Sequence, residues 1–276
     1  RSTLTAWELL VIGDACTDDT EEVIASFDDP RIHFMNLPKN FGEQSGPNNE
    51  GLRRARGRYI AILNHDDLWF PEHLAKLVQS IEENNADLVY ALGIAITHLG
   101  KPDLKGATGS GRYEPQVRVP SSQWLFRREL IETVGYWRSA RECYAAPSQD
   151  WLFRAWQAQK KMIQAPHVTV IEILSGHRNQ VYLRRDYSEN EYYYHELVNN
   201  SSLLEHLLTQ VSTELSAQLS ALTVFPGIKR IVRNLAYRVV LTTQEPTREN
   251  PTGIYVLGQS AKSDRPKEGE ADGRGR

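Results

Sequence analysis

Five residues, Tyr59 to Leu63, lead into Asn64-His65-Asp66-Asp67, and Pro71 stands four positions further on. The five are apolar and form a short run, which predicts a buried strand. Pro71 predicts the first turn of a helix, where a missing N–H costs nothing. Leu74, Leu77, Val78 and Ile81 then follow at helical spacing. Two adjacent carboxylates therefore close the carboxyl end of a buried strand, the edge at which open α/β sheets bind ligands. Adjacent carboxylates repel and are costly to desolvate, so a cation is their natural neutraliser. The alternative is a solvated loop whose Asp residues cap the next helix.

The flanking chain repeats the alternation. Leu9 to Ile12 reads as a strand that ends on Gly13-Asp14, and Thr17 or Asp18 caps a helix with Glu21 and Glu22 in its first turn. Arg31 to Asn36 alternates as a strand, and Gly46 to Arg56 is a helix stopped by Gly57. Strand and helix thus alternate three times before a further strand at Asp87 to Thr97, which argues a mostly parallel α/β sheet. Asp14, like Asp66, stands where a strand ends, a place that turn chemistry also accounts for.

Beyond this, Gly100 to Gly111 reads as a loop over the site, and Ser121 or Ser122 as the cap of a helix to Val134. Ser148-Gln149-Asp150 opens a helix bearing Trp151, Leu152, Phe153, Ala155 and Trp156. An acid in that first turn complements the helix dipole without further purpose. Val168 to Leu174 alternates as a strand and ends at Ser175-Gly176-His177-Arg178. Tyr187 to Leu222 is helical, and its tyrosines 192 to 194 suit the packing of a helix pair better than a stacking platform.

Composition removes several classes. The chain has 276 residues, 40% of them hydrophobic, enough for one large core. A net charge of −3 leaves no global footprint for nucleic acid. Cys16 and Cys143 make neither a disulfide framework nor zinc spacing, which suits a reducing compartment. No apolar run approaches the roughly 18 residues of a membrane span, and no signal peptide heads the chain, which starts at Arg1. A cytoplasmic location is expected. Residues 228–241 set Lys229, Arg230, Arg233 and Arg238 among apolar positions, a basic amphipathic helix suited to peripheral contact with an anionic membrane face. The alternative is a helix docked on the main domain. The tail to Arg276 is rich in Gly, Ser, Pro and charge, and disorder is expected there.

The segments also resemble a known family. Glu8 to Thr20 resembles the "E-hydrophobic-V-D-D-G-S-T-D-x-T" segment of family 2 inverting glycosyltransferases, which have the GT-A fold. Gly57 to Pro71 is similar to the family's "G-x-Y-I-x-F-L-D-x-D-D-x-x-x-P", and Ser148-Gln149-Asp150-Trp151 to its "E-D" segment. The three occur in order and span about residues 6–180. The resemblance implies that Asp14 binds the nucleotide's uracil or thymine ring. It implies that Asp66, with Asn64, lies near the ribose, Asp66 also near the metal, and that Asp67 holds a divalent metal, Mg²⁺ or Mn²⁺, on the diphosphate. Asp150 is implied as the general base, and His177 as a weaker metal or diphosphate contact. The implied partners are a UDP- or dTDP-sugar donor and a glycan or lipid-linked acceptor.

Four features depart from that pattern. Gly13 and Asn64 stand where the family often has Asp, and Asn48-Asn49 where it often has Arg-Asn. The family's opening strand with its "P-x-Y-N" turn does not precede Glu8. The expectation is a GT-A-like domain, N-terminally truncated, over residues 1–185, a helical appendage over 186–241 and a disordered tail over 242–276. The rival reading is a non-catalytic nucleotide-sugar or glycan binding module. A metal-dependent phosphohydrolase ranks third, because neither the Asp nucleophile nor the Ser/Thr–Lys phosphate set in fixed order that such an enzyme would need is found.

Overall fold

The computed structural model describes residues 2–97, 100–174 and 189–223. His177, the basic segment 228–241 and the tail lie outside these residues. Strand β1 (Leu9–Gly13) pairs in parallel with β2 (Ile32–Asn36), with α1 (Thr20–Ala25) between them in sequence. Helix α2 (Ser45–Arg54) packs on β1. It leads into β3 (Tyr59–Ala61). The Glu8 carboxylate accepts from the Arg56 and Gly57 amides at 2.7 and 3.1 Å, tying the residue before β1 to the turn before β3.

Among the described residues the second sheet has six strands. They are β3, β4 (Leu68–Trp69), β5 (Leu88–Ile96), β6 (Pro102–Lys105), β7 (Trp124–Arg127) and β8 (Met162–Ile173). Their order is β3-β7-β5-β8-β4, with β6 on β5. Strand β5 is central. It runs parallel to β8, and its other edge is shared by β7 at Leu88–Tyr90 and β6 at Gly93–Ile96, both antiparallel. The α/β class holds, but the pairing is mixed where a mostly parallel sheet was expected, because β7 inserts antiparallel between β3 and β5.

The largest local departure is at β7. Residues expected to continue a helix from Ser121 form a strand after a single 3₁₀ turn, Ser121–Gln123, and helix α4 covers only Leu130–Val134. Trp124 and Phe126 enter the main core, whereas Leu125 enters a second cluster with Leu77 and Val89. That two-sided burial makes the strand apolar throughout, a pattern that periodicity alone does not separate from a helix. Helix α3 (His73–Glu83) begins two residues after Pro71, and the chain ahead of Pro71 forms β4 against Val170 and Ile171. Strand β8 starts six residues earlier than expected, and β6 lies inside the expected loop.

Helix α5 (Pro147–Gln157) opens with Pro at its first position. Trp151, Leu152 and Ala155 are fully buried, and Trp151 stacks on Trp124 at 5.9 Å. Its indole N–H donates to the Gly135 carbonyl at 2.9 Å, which fixes the helix's rotation. Helices α6 (Glu189–Asn199) and α7 (Leu203–Thr223) follow. Leu203, Leu207 and Val211 recur at four-residue spacing and bury against Ile94, Ile96, Ile171 and Ile173. Tyr193 packs against the same cluster, whereas Tyr192 and Tyr194 are about half exposed. Among the described residues, no helix is long and apolar enough to cross a membrane.

Candidate functional site

Asp14 follows β1 and is 3% exposed. Its carboxylate accepts from the Phe41 and Gly42 amides at 2.8 and 3.0 Å, and its carbonyl from Asn40 Nδ2 at 2.8 Å. Asp14 therefore pins the loop that enters α2. Gly13 has a packing reason. A Cβ there would lie 2.9 Å from Asn36 Oδ1 and 3.0 Å from Cys16 Sγ. The Asn36 amide already spans the Cys16 N–H and carbonyl, so a carboxylate side chain at this position has no space.

The loop after β3 carries the carboxylate pair. Asp67 Oδ2 accepts from the Ser122 hydroxyl at 2.5 Å and from Asn64 Nδ2 at 2.8 Å. Asn64 Oδ1 accepts from the Ser121 hydroxyl at 3.1 Å. Burial pushes the Asp67 carboxyl up to about 8, aided by the neighbouring Asp66 charge and opposed by Ser122, Asn64 and the Ile173 amide. Burial likewise raises Asp66 to about 6 and lowers His65, beside it at 3.8 Å, to about 4. The Asp66 carbonyl accepts from Asn190 Nδ2 at 2.7 Å, so α6 braces this loop.

A third buried carboxylate, Glu172 on β8, is one that sequence reasoning passes over. Gln123 Nε2 donates to it at 2.6 Å. Burial pushes it up to about 8, with the Asp67 charge acting in the same direction and Arg118 and Lys105 against it. The signal for it is a lone Glu inside the apolar run Val168 to Leu174. Ser121 and Ser122 read locally as helix caps, whereas their hydroxyls serve the carboxylate loop.

Asp150 lies in the first turn of α5. Arg154 Nε donates to its Oδ2 at 2.8 Å and is itself held by the Val134 and Tyr136 carbonyls. Arg138 stands 3.6 Å from Oδ1 and is about half exposed. Two short routes join Asp150 to the other carboxylates. Gln149 exchanges hydrogen bonds with Val119, two residues before Ser121. Asn49 exchanges bonds with the Trp137 backbone, and Glu43 accepts from the Ala140 amide at 2.7 Å, which ties α2 to the loop carrying Arg138. Asn48 is buried beside Asn49 on α2.

Among the described residues, no three His, Cys, Asp or Glu groups converge as a ready metal cage. A desolvated pair of carboxylates nevertheless suits Mg²⁺ or Mn²⁺. Such an ion is commonly held by one or two carboxylates, with substrate phosphates and water completing its shell.

Residues 1–135 match the family described as glycosyl transferase family 2. The succinoglycan biosynthesis protein ExoO of Rhizobium meliloti is 30% identical over 132 residues, 44% of this chain and 36% of that protein. The UDP-Glc:alpha-D-GlcNAc-diphosphoundecaprenol beta-1,3-glucosyltransferase WfgD of Escherichia coli is 33% identical over 90 residues, 33% of this chain and 35% of that protein. In each case the match spans about a third of the relative's length. The structure of S. aureus TarS 1–349 in complex with UDP-GlcNAc superposes with a TM-score of 0.53 at 17% identity, over 79% of this chain and 66% of that one. At that identity the likeness shows the GT-A fold.

Proposed function

Residues 1–135 belong to glycosyl transferase family 2, and from that premise we propose that this chain carries a metal-dependent inverting sugar transfer. The donor is a UDP- or dTDP-sugar, and the acceptor a glycan or lipid-linked hydroxyl of the cell envelope. The observation that carries this reading is the adjacent Asp66–Asp67 pair in the loop after β3, Asp67 buried and the Asp66 side chain 23% exposed, where desolvation pushes both carboxyls up. Groups held that way are neutralised by a proton or by a cation.

In this reading Asp14 and the loop it pins receive the nucleobase, and Asn64 and Asp66 line the ribose side. Asp66 and Asp67 would hold the metal, which supplies stabilisation of the charge that develops on the departing diphosphate. Asp150 takes the proton of the acceptor hydroxyl. That oxygen attacks C1 of the sugar from the face opposite the diphosphate. The C1–O bond to the phosphate breaks, its electron pair leaves with the nucleotide, and the anomeric centre inverts in one step. No covalent nucleophile is required. Arg154 holds the base by one oxygen and fixes its direction.

Calorimetric titration of UDP, dTDP and GDP, with and without Mn²⁺, tests the reading. UDP or dTDP is expected to bind only with Mn²⁺, and Asp67→Ala to weaken that binding by at least about tenfold, which loss of a ligand's hydrogen-bonding partner alone costs. Binding that ignores Mn²⁺ and survives Asp67→Ala would remove the metal from the scheme. A second reading, a binding module without turnover, draws on Asn64 in place of an acid and on the two arginines at Asp150. It predicts the same metal-dependent binding with no release of UDP from any UDP-sugar.

A further inference from the structure

Three consecutive polar residues, Ser121, Ser122 and Gln123, are almost wholly buried, at 2, 0 and 0% exposure. Burying hydroxyls and amides destabilises a fold unless each finds a partner. Here the partners lie on the carboxylate side of the site. Ser122 Oγ accepts from the Asn64 amide at 3.0 Å and donates to Asp67 Oδ2 at 2.5 Å. Ser121 Oγ donates to Asn64 Oδ1 at 3.1 Å, and Asn64 Nδ2 returns to Asp67 Oδ2 at 2.8 Å. These bonds close a ring through Asn64, Asp67, Ser122 and Ser121.

The ring is anchored on two sides. Trp69 Nε1 donates to the Ser122 carbonyl at 2.7 Å, so the short β4 grips the turn from beyond the carboxylates. Trp124, the next residue after the turn, is fully buried in β7 between β3 and β5. Asn64 has its place in this arrangement as an amide. A carboxylate at the same position would repel Asp67 and would offer it no N–H. Both polar atoms of the Asn64 side chain are engaged inside the ring, which explains an amide at this position better than loss of function does.

We propose that the Ser121–Ser122 turn is the positioning element that sets Asp67 for a divalent cation, with Asn64 as its strut. The inference rests on the metal-dependent reading above and extends it to Ser121 and Ser122, to which that reading gives no contact with nucleotide or metal. Outer partners of this kind orient a ligating carboxylate, and their loss typically costs about 10- to 100-fold in metal affinity.

The test uses the full chain and Mn²⁺ titrated in the presence of UDP, followed by calorimetry, with melting temperature measured in parallel. Ser122→Ala is expected to weaken Mn²⁺ binding about 10- to 100-fold. In an Asp67→Asn background the same substitution is expected to add nothing, since its effect passes through Asp67. Ser121→Ala removes only the outer strut, keeps the direct donor to Asp67 and should give a smaller loss; it carries the test should Ser122→Ala fail to fold. A lower melting temperature with unchanged Mn²⁺ affinity would make the turn a packing element and overturn the proposal. So would an equal loss in both backgrounds. A parent chain that shows no Mn²⁺-dependent UDP binding would overturn the metal reading and the positioning role together. Unchanged variants of a parent that does bind would overturn the positioning role alone.

Discussion

Asn in place of Asp150 is expected to cut sugar transfer by about 10² to 10⁴, the usual worth of a positioned general base, and to leave Mn²⁺-dependent UDP affinity at the parent value. The substitution is gentle on the fold. Asn keeps an oxygen for Arg154, which remains held by the Val134 and Tyr136 carbonyls, so the α4–α5 junction is preserved. It removes the ability to take a proton. The measurement is UDP release from a panel of UDP-sugars, water serving as the default acceptor, beside calorimetry of UDP. Transfer at the parent rate would assign the proton to another group. Loss of UDP binding would mean that Asp150 acts in the donor site. The neighbouring Arg138 sharpens the interpretation. It is about half exposed and 3.6 Å from Oδ1, so the incoming acceptor must displace or share it.

Much of this site is legible in the sequence because strand ends and helix starts leave local marks. Asp14, Asp66 and Asp67 stand at the ends of apolar runs, and β1 and β3 bring them there. Asp150 falls in a first helical turn, and Pro147 starts that helix. What stays hidden depends on pairing at long range. Ser121 and Ser122 look like caps in any local window, and only the insertion of β7 between β3 and β5 turns them toward Asn64 and Asp67. The apolar stretch from Trp124 carries no period to choose between helix and strand, because its side chains enter two different cores. Two-residue β4 is defined by Val170 and Ile171 across the sheet and has no signature of its own. Gly13 stands out as a departure from the family pattern, and its reason lies far along the chain in the Asn36 side chain.

Glu172→Gln is expected to stabilise the metal-free chain, and to do so more as pH rises. Glu172 is 3% exposed and packed where β6 and β7 part along β5. A Cβ on Gly93 would lie 2.7 Å from its Oε1, and one on Gly106 2.6 Å from Gln123 Oε1, so the two glycines make room for this pair and leave little for water. Burial first, and the Asp67 charge second, raise the carboxyl from 4.5 to about 8; Arg118, Gln123 and Lys105 oppose the shift. The sign follows from proton binding. Below about pH 4.5 both folded and unfolded chains hold the proton, and the stability linked to it is fully present. Between 4.5 and about 8 the unfolded chain releases it while the folded chain keeps it, so stability falls as pH rises through that window. Asp66 and Asp67, raised to about 6 and about 8, act in the same direction. The amide introduced by Glu172→Gln cannot ionise, and its oxygen still accepts from Gln123. Urea unfolding with a chelator present should therefore show parent and variant nearly equal at about pH 4.5. The variant should be ahead at about pH 8 by on the order of 1–4 kcal/mol, the gain seen when a buried ion pair gives way to well-packed uncharged residues of similar volume. A gap that stays constant with pH would mean that Glu172 does not carry the linkage. Mn²⁺ with UDP should restore parent stability at about pH 8, because a cation on Asp67 removes part of the repulsion that Glu172 faces.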